Sequence, residues 1–579
     1  MARYIIAKDG ESPFHIAVHQ YSDEAVRHAA AELQKYILKS TGAVIPYFAD
    51  CCKKRSPEIM LGANVRGETR VENEHGEEGF FIRAAGENIT ITGGSSRAIL
   101  YGVYRFLEIF CNFSCFTKDV ETIDKFETLE IELTEIKEKP AFEFRDDYFR
   151  NAFDGDFCVK NRLNSNLADV SDARGGKMKW FNFHHSFADL VPEEVYFKTH
   201  SEYFSEIDGV RQEKSQLCLT NNDVLNISKK QLRKWISENP RCRVFSISQN
   251  DNSKRCTCKD CMAIEKSEGS PAGPIIRFVN ELARDIRDDY PDVLLHTFAY
   301  QYSLPAPKSV VADERVIVRL CSLSCRFDKP FEKIAKEEPE DKTAIFVNAL
   351  NDWKDHAHRL YVWDYAVNFI NYLQPMLYFH TLAENIRYFS RIGVLGILEQ
   401  GNFAYGGGAS CDDLKSYIIA KLLWNPECDF KYEIHRFCSA VYGERAGALF
   451  EKYIEVMEKA CSSAPIHIYE YTDTDFINDS LISECDSIFK EALKIAETPE
   501  QKMRLEREHL AIRYLKLTRS PLNSPGRNEA IDEFICDVKS HGITEIMERN
   551  SLAVSKEIML TSRYTKERNN TYRLYYIMQ

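Results

Sequence analysis

The sequence predicts an α/β protein: a TIM-like (β/α)8 barrel, preceded by an α+β domain and followed by an α-helical one. Three observations predict it. Eight short apolar or alternating runs recur between Lys139 and Pro426, most of them separated by stretches of helical apolar spacing, and strand–helix alternation of that kind implies a parallel sheet. Nearly every run ends in an amide, a carboxylate or an aromatic residue, as the rim of a barrel does. The flanks carry different patterns. The expected domains are therefore residues 1–138, 139–426 and 427–579.

In the first segment, Ile5–Ile6 and His15–Val18 suit short strands. Val26, Ala29, Ala30, Leu33 and Ile37 recur at helical spacing, which predicts an amphipathic helix over 23–39. Ile59–Leu61 followed by Gly62 reads as a strand and turn. Phe81–Ile91 reads as a hairpin turning at Gly86–Asn88. A second helix, carrying Ile99, Leu100, Val103 and Leu107, opens after Gly93–Gly94. No catalytic constellation is visible here.

The eight runs of the middle segment are Phe142–Phe144, Phe181–Phe183, Gln216–Leu219, Val244–Ile247, Leu294–Phe298, Val316–Leu320, Leu360–Val362 and Val394–Leu398. The clearest helix between them holds Ile275, Phe278, Val279, Leu282 and Ile286, after the cap and first-turn pair Ser270–Pro271. Just past the runs stand Arg145 and Asp146; His184 and His185; Asn221 and Asn222; Asn250 and Asp251; Tyr300 and Tyr302; Ser322 and Ser324; Trp363 and Asp364; Glu399 and Asn402. Adjacent histidines on a strand point to opposite faces, so one of His184 and His185 is expected to face the site. Gly406–Gly408, after Asn402 and Tyr405, reads as a loop over it. The third segment repeats apolar residues at helical spacing, as in Phe450, Tyr453, Ile454 and Met457, and shows no chemistry.

Composition narrows the function. A net charge of -13 with no long basic run argues against nucleic acid and anionic membrane as partners. The start MARYIIAKDG has no charged-then-apolar leader, no window is apolar enough to span a bilayer, and 18 cysteines then read as reduced thiols, so a cytoplasmic location is expected. No HExxH, three-histidine or phosphate-loop pattern occurs, and no cofactor is expected. Aromatics at 12% suit stacking on sugar rings as well as core packing.

The stretches QLCLTNNDV, FSISQNDNSKRCTCKDC, RLCSLSC, LYVWDYAVNFINYL, GILEQGN and IIAKLLWNPECD resemble the bacterial family known as domain of unknown function 4838, part of which is glycoside hydrolase family 163. The N-terminal ITITGGSSRAILYGVYRFLEIF resembles the non-catalytic domain before the barrel in family 20 hexosaminidases and family 67 α-glucuronidases. The resemblance implies a glycan substrate and an endo-β-N-acetylglucosaminidase-like activity. It also implies that Arg145 holds sugar hydroxyls. Two stretches depart from the family pattern: Leu323, Ser324, Cys325 and Arg326 replace an Ile-Glu-Cys-Cys run, and Gln374 to Leu377 replace a Pro-Phe-Pro-Asn-like turn. An α-glucuronidase-like hydrolase and an inactive glycan-binding barrel therefore stand as alternatives.

Glycoside hydrolysis needs one group to protonate the leaving oxygen and another to stabilise or capture the oxocarbenium-like centre. Asp251 and Glu399, after the fourth and eighth runs, are the expected carboxylate pair. Their separation would decide inversion or retention. A third route uses the substrate acetamide as nucleophile, with Asp251 and Asn250 as acid and orienter and Glu399 binding substrate. Arg145, Asp146, His184, His185, Tyr300, Tyr302, Trp363, Asp364, Asn402 and Tyr405 are the expected substrate-binding residues. Cys256, Cys258 and Cys261 supply three thiols, with Cys321 or Cys325 as a fourth. They read as packed free thiols or, alternatively, as a structural zinc site.

Overall fold

A computed structural model describes residues 2–561 apart from 71–73, 165, 404, 405 and 407. The chain divides into two units. The first comprises Met1–Lys177, Cys411–Tyr453 and Ile488–Glu508, and the second Met178–Ser410, Ile454–Ser487 and His509–Gln579. These units cut across the three consecutive domains expected above.

The first unit is built on a six-stranded mixed sheet, in the order Glu135–Glu138, Phe80–Ala85, Asn88–Gly93, Glu58–Leu61, His15–Val18, Tyr47–Ala49. The expected hairpin is present: Phe80–Ala85 runs antiparallel to Asn88–Gly93 and closes at the pair Ala85–Asn88. The expected helix spans Glu24–Thr41. The Asp23 side chain accepts from Val26 N at 3.0 Å to start it, and Gly42, at a φ of 75°, ends it in the left-handed conformation that glycine tolerates best. Its residues Val26, Ala29, Ala30, Leu33 and Ile37 are buried, as their spacing predicts. The second helix is Ser96–Cys111, capped by Ser95. The unit also holds strand Phe144–Asp147 and helices Asp412–Trp424 and Phe430–Tyr442.

The second unit contains a parallel sheet of barrel type. Its strands are β1 (Trp180–Phe181), β2 (Val244–Ser246), β3 (Leu294–Ala299), β4 (Val316–Cys321), β5 (Arg359–Tyr365) and β6 (Gly396–Gln400), each hydrogen-bonded to the next. β3 and β4 are buried throughout, which is why they read as near-continuous apolar runs. Helices Asn222–Glu238, Ala272–Ile286, Lys342–Trp353 and Phe379–Ile392 supply the crossovers.

One expected strand is missing. The run Gln216–Leu219 forms no ladder; Leu217 makes only an isolated antiparallel bridge to Phe204. β1 instead pairs directly with β2, Trp180 beside Val244 and Phe181 beside Phe245. Gln216 and Cys218 are spent on other contacts, described below. The residues before this run fold as a small excursion with the hairpin Glu206–Ile207/Val210–Arg211.

The later chain is helical, as expected. It includes Glu444–Cys461, Asp479–Ile495, Pro499–Arg519, Arg527–Ser540 and Leu552–Thr561. Within the second unit, the segment after Cys461 docks on the loops beyond β4 and β5. Phe327 N donates to Ile466 O at 2.9 Å, and Phe369 N to Ile468 O at 2.8 Å. No helix among the described residues is long and apolar enough to cross a membrane.

Candidate active site

Strand alternation decides which side chains enter the barrel. Parallel register pairs Phe298 with Arg319, Arg319 with Tyr361, Cys321 with Trp363, and Trp363 with Leu398. Residues paired in this way share a face, and their chain neighbours take the other. The inner face is therefore aromatic around one cation. The Arg319 guanidinium, 0% exposed, lies 4.4 Å from the Trp180 ring, 4.5 Å from Phe183 and 5.5 Å from Trp363. Below it His296 meets Trp180 edge-on at 5.2 Å and shares a 2.9 Å hydrogen bond through Nδ1 with Ser246 Oγ. Burial first, then the Arg319 charge, holds His296 well below the ordinary imidazole range, so this ring is neutral.

Asp251 stands above this aromatic floor. Its side chain is 54% exposed. Tyr300 Oη donates to Asp251 Oδ1 at 3.2 Å, and His185 Nε2 lies 3.8 Å from the same oxygen. His185 Nδ1 donates to the Gln249 carbonyl at 2.6 Å. Since a carbonyl only accepts, this bond fixes the proton on Nδ1 and leaves Nε2 facing the carboxylate. The rings of Phe298, Tyr300 and His185 sit within 5.3 to 6.1 Å of one another. Burial and the Asp251 charge push the Tyr300 phenol up, so it remains a donor. Gln249 sets this geometry from beneath: its Nε2 donates to Tyr300 O at 3.2 Å and its Oε1 accepts from Ser303 Oγ at 2.6 Å.

His184 and His185 do not alternate as a strand would. β1 ends at Phe181, Asn182 takes a φ of 49°, and the two imidazoles come to lie 6.0 Å apart at 24°. His184 is held below the usual imidazole value, by loss of solvation first and then by His185, Arg319 and Arg549.

Several expected roles need correction. Glu399 pairs in register with Asp364, on the face opposite Trp363, and both are buried. The sheet thus separates Glu399 from the side on which Asp251 stands. Asp364 is engaged locally, by Ser322 Oγ and by Tyr365 N at 3.0 Å. Burial pushes its carboxyl up to about 7. Both acids help to raise the Tyr378 phenol, after burial, which puts them beside the helix Phe379–Ile392.

Asn250 is not free to orient a substrate. Its Oδ1 accepts from Ala188 N at 2.9 Å and its Nδ2 donates to Ser215 O at 2.8 Å, so both ends of the amide brace the loop. Arg145 belongs to the first unit. There it is fully buried, pairs with Glu78 at 2.6 Å, and donates to the carbonyls of Phe142 and Arg162. Glu78 also pairs with Arg97 at 2.7 Å. Asp146, also in that unit and fully buried, accepts from Asn166 N at 2.9 Å. Tyr302 has Arg255 and Glu265 as its charged neighbours, whereas Tyr300 has Asp251. Tyr405 lies outside the described residues. Asn402, 1% exposed at the end of β6, has no hydrogen-bond partner among the described residues. An unsatisfied buried amide costs about 1–3 kcal/mol, which suits a group that waits for a ligand.

Sequence reasoning missed Arg319 and Gln249. The signal for Arg319 was a lone arginine in the apolar run VIVRLC, a residue type almost never buried without partners. The fourth member of the cysteine cluster is Cys218, and neither Cys321 nor Cys325. Cys256, Cys258 and Cys261 gather with Cys218, all four sulfur atoms within 4.8 Å of one another. Cys321 instead faces the barrel interior beside Trp363, and Cys325 is buried near Asp364 and Asp341.

The model of the family described as "Domain of unknown function (DUF4838)" matches residues 115–455, and that described as "Glycosyl hydrolase family 67 N-terminus" matches residues 7–106. No curated protein matches the chain. Among solved structures, a family GH115 4-O-methyl-α-glucuronidase, BtGH115A, with specificity for decorated arabinogalactans, is similar at 10% identity. The match has a TM-score of 0.57 and covers 97% of this chain and 80% of that one. The GH20 β-N-acetylhexosaminidase from Streptomyces coelicolor is similar at 13% identity and a TM-score of 0.42, over 81% of this chain and 96% of that one. At 10% identity the likeness to the GH115 enzyme is one of fold.

Proposed function

The chain belongs to the DUF4838 family, and from that premise we propose that it is a glycoside hydrolase acting on an N-acetylhexosamine-containing glycan. The observation that carries this reading is the position of Asp251, a solvent-reached carboxylate over an aromatic floor with a phenol and an imidazole on one oxygen. Trp363 and Tyr300 offer faces and edges for a sugar ring, and Asn402 an amide for a hydroxyl.

With Glu399 on the other face of the sheet, the substrate itself is the natural source of the second group. Its 2-acetamido oxygen attacks C1 as the glycosidic bond breaks. Asp251, protonated for this step, gives its proton to the leaving oxygen. The resulting carboxylate then takes a proton from the water that opens the cyclic intermediate. Tyr300 donates to the carboxylate and holds it in place through both halves.

The test is hydrolysis of aryl β-N-acetylglucosaminides and N-glycans, repeated with a trifluoroacetamido substrate. Fluorination weakens the acetamide nucleophile, so a steep fall in rate supports substrate assistance; an unchanged rate removes it. A second reading, an α-glucuronidase-like hydrolase, draws on the GH115 likeness and the family 67 N-terminal match. Turnover of an aryl α-glucuronide in place of the acetamido sugar would favour it. Glycan binding without release of any sugar would leave an inactive barrel.

A further inference from the structure

We infer that Cys218, Cys256, Cys258 and Cys261 form a structural zinc site that clamps the loop bearing Asp251. The four sulfur atoms come from two separate segments and all lie within 4.8 Å of one another. Cys218 Sγ and Cys258 Sγ are 3.7 Å apart. A tetrahedral zinc with metal–sulfur bonds of about 2.3 Å requires sulfur atoms about 3.8 Å apart. Two disulfides would instead draw the sulfurs into two close pairs at about 2 Å.

The local structure is organised for such a centre. Cys258 caps the helix Lys259–Glu268, and Cys261 lies in its first turn, so two sulfurs sit at the positive end of a helix. Glu206 N donates to Cys256 Sγ at 3.3 Å, and Arg211 Nη1 approaches the same sulfur at 3.9 Å. Thr220 Oγ1 lies 3.3 Å from Cys261 Sγ and 3.6 Å from Cys218 Sγ. Donors around a thiolate cluster offset the excess negative charge of four sulfurs on one divalent ion and orient its ligands. The four cysteines also form a buried cluster of their own. The excursion that carries the hairpin Glu206–Ile207/Val210–Arg211 is tied down at this point.

The clamp reaches the Asp251 loop through Gln216, two residues before Cys218. Gln216 Nε2 donates to the carbonyls of Asn250 and Asn252, each at 2.8 Å, and Gln216 Oε1 accepts from Asn250 N at 2.8 Å. On the other side Cys256 follows the same loop directly. A metal joining Cys218 to Cys256 therefore closes a ring around Asn250, Asp251 and Asn252.

The experiment is elemental analysis of the full-length protein, purified without chelator, with titration of its zinc by an organomercurial. One zinc per chain is expected, released as four thiols are modified. Cobalt exchanged into the protein should give the intense thiolate charge-transfer and d–d bands of a tetrahedral four-sulfur site. Cys258→Ser should lose the metal and hydrogen-exchange protection over residues 249–258. Cys218→His, which still offers a ligand, should keep both, and so should Cys321→Ser, outside the cluster. Wild type without stoichiometric zinc after incubation with zinc ion, or a mass showing disulfides among these four residues, would overturn the site. Loss of zinc in Cys321→Ser with retention in Cys258→Ser would do so as well.

Discussion

The phenol of Tyr300 and the imidazole of His185 meet on one atom, Asp251 Oδ1, at 3.2 and 3.8 Å. Asp251 Oδ2 is then the oxygen free to reach a substrate. This arrangement separates the chemistry from its support. Asp251→Asn should lower kcat/KM on the cleaved glycan by about 10²- to 10⁴-fold, the range typical of losing a positioned acid–base group. Tyr300→Phe should lower it by about fivefold, since one hydrogen bond is worth roughly 1 kcal/mol. Steady-state kinetics decide it; a fully active Asp251→Asn would move the chemistry elsewhere.

Much of this was legible in the residues, for physical reasons. Strands β2 to β6 announced themselves because parallel strands covered on both faces must be apolar. The rim position of Asp251 followed from where those runs stop. The register did not follow, and it is register that sends Trp363 inward and its neighbour Asp364, with Glu399, outward. QLCL looks like a strand because apolar residues alternate, yet Gln216 and Cys218 point to partners that no local pattern reveals. Asn250 stands where an orienting amide would, but its side chain is committed to Ala188 N and Ser215 O, which no local pattern shows.

Arg145 distinguishes a structural cation from a sugar ligand. Its guanidinium is sealed against Glu78, whose carboxyl the Arg145 and Arg97 charges hold below its usual range against the opposing effect of burial. Arg145→Met leaves Glu78 without one of its two buried partners. Breaking a buried pair from one side costs roughly 3–5 kcal/mol. Urea unfolding should show a loss of that order, while KM of the protein that remains folded stays near the wild-type value. A raised KM with unchanged stability would restore the sugar-binding role.

Asp364 should make the fold pH-sensitive. Burial raises its carboxyl to about 7, above the value of about 4 in an unfolded chain. The native state then binds the proton more tightly than the unfolded state. Stability attributable to this group is complete below pH 4, falls as pH rises toward 7, and is level above that. The full loss is up to roughly 4 kcal/mol. Asp364→Asn keeps an oxygen for Ser322 to donate to and should be more stable than wild type at pH 8, with little difference at pH 4. Urea midpoints at the two pH values measure it. A wild-type slope retained in the variant would assign the sensitivity to another group. His296 acts in the opposite sense: its depressed folded value costs stability as pH falls below about 6.5.

Gly396 sets the floor of the barrel by having no side chain. It stands in register with Tyr361, and a Cβ there would lie 2.6 Å from Tyr361 Cε2 and 2.7 Å from its neighbours in the ring. The Tyr361 ring in turn packs 6.3 Å from Trp180, with the Arg319 guanidinium 6.0 Å from it. The ring is fully buried, and Cβ atoms do not approach other atoms this closely, so Gly396→Ala must shift either β6 or the aromatic floor. Overpacking of this kind costs roughly 1–3 kcal/mol. Because the clash is with one ring, shortening that ring should relieve it. Tyr361→Leu alone should destabilise by leaving a cavity, whereas Gly396→Ala combined with Tyr361→Leu should cost less than the two single losses added together. A double-mutant cycle in urea measures this coupling. Strict additivity would mean that the glycine is needed for some reason other than the tyrosine ring.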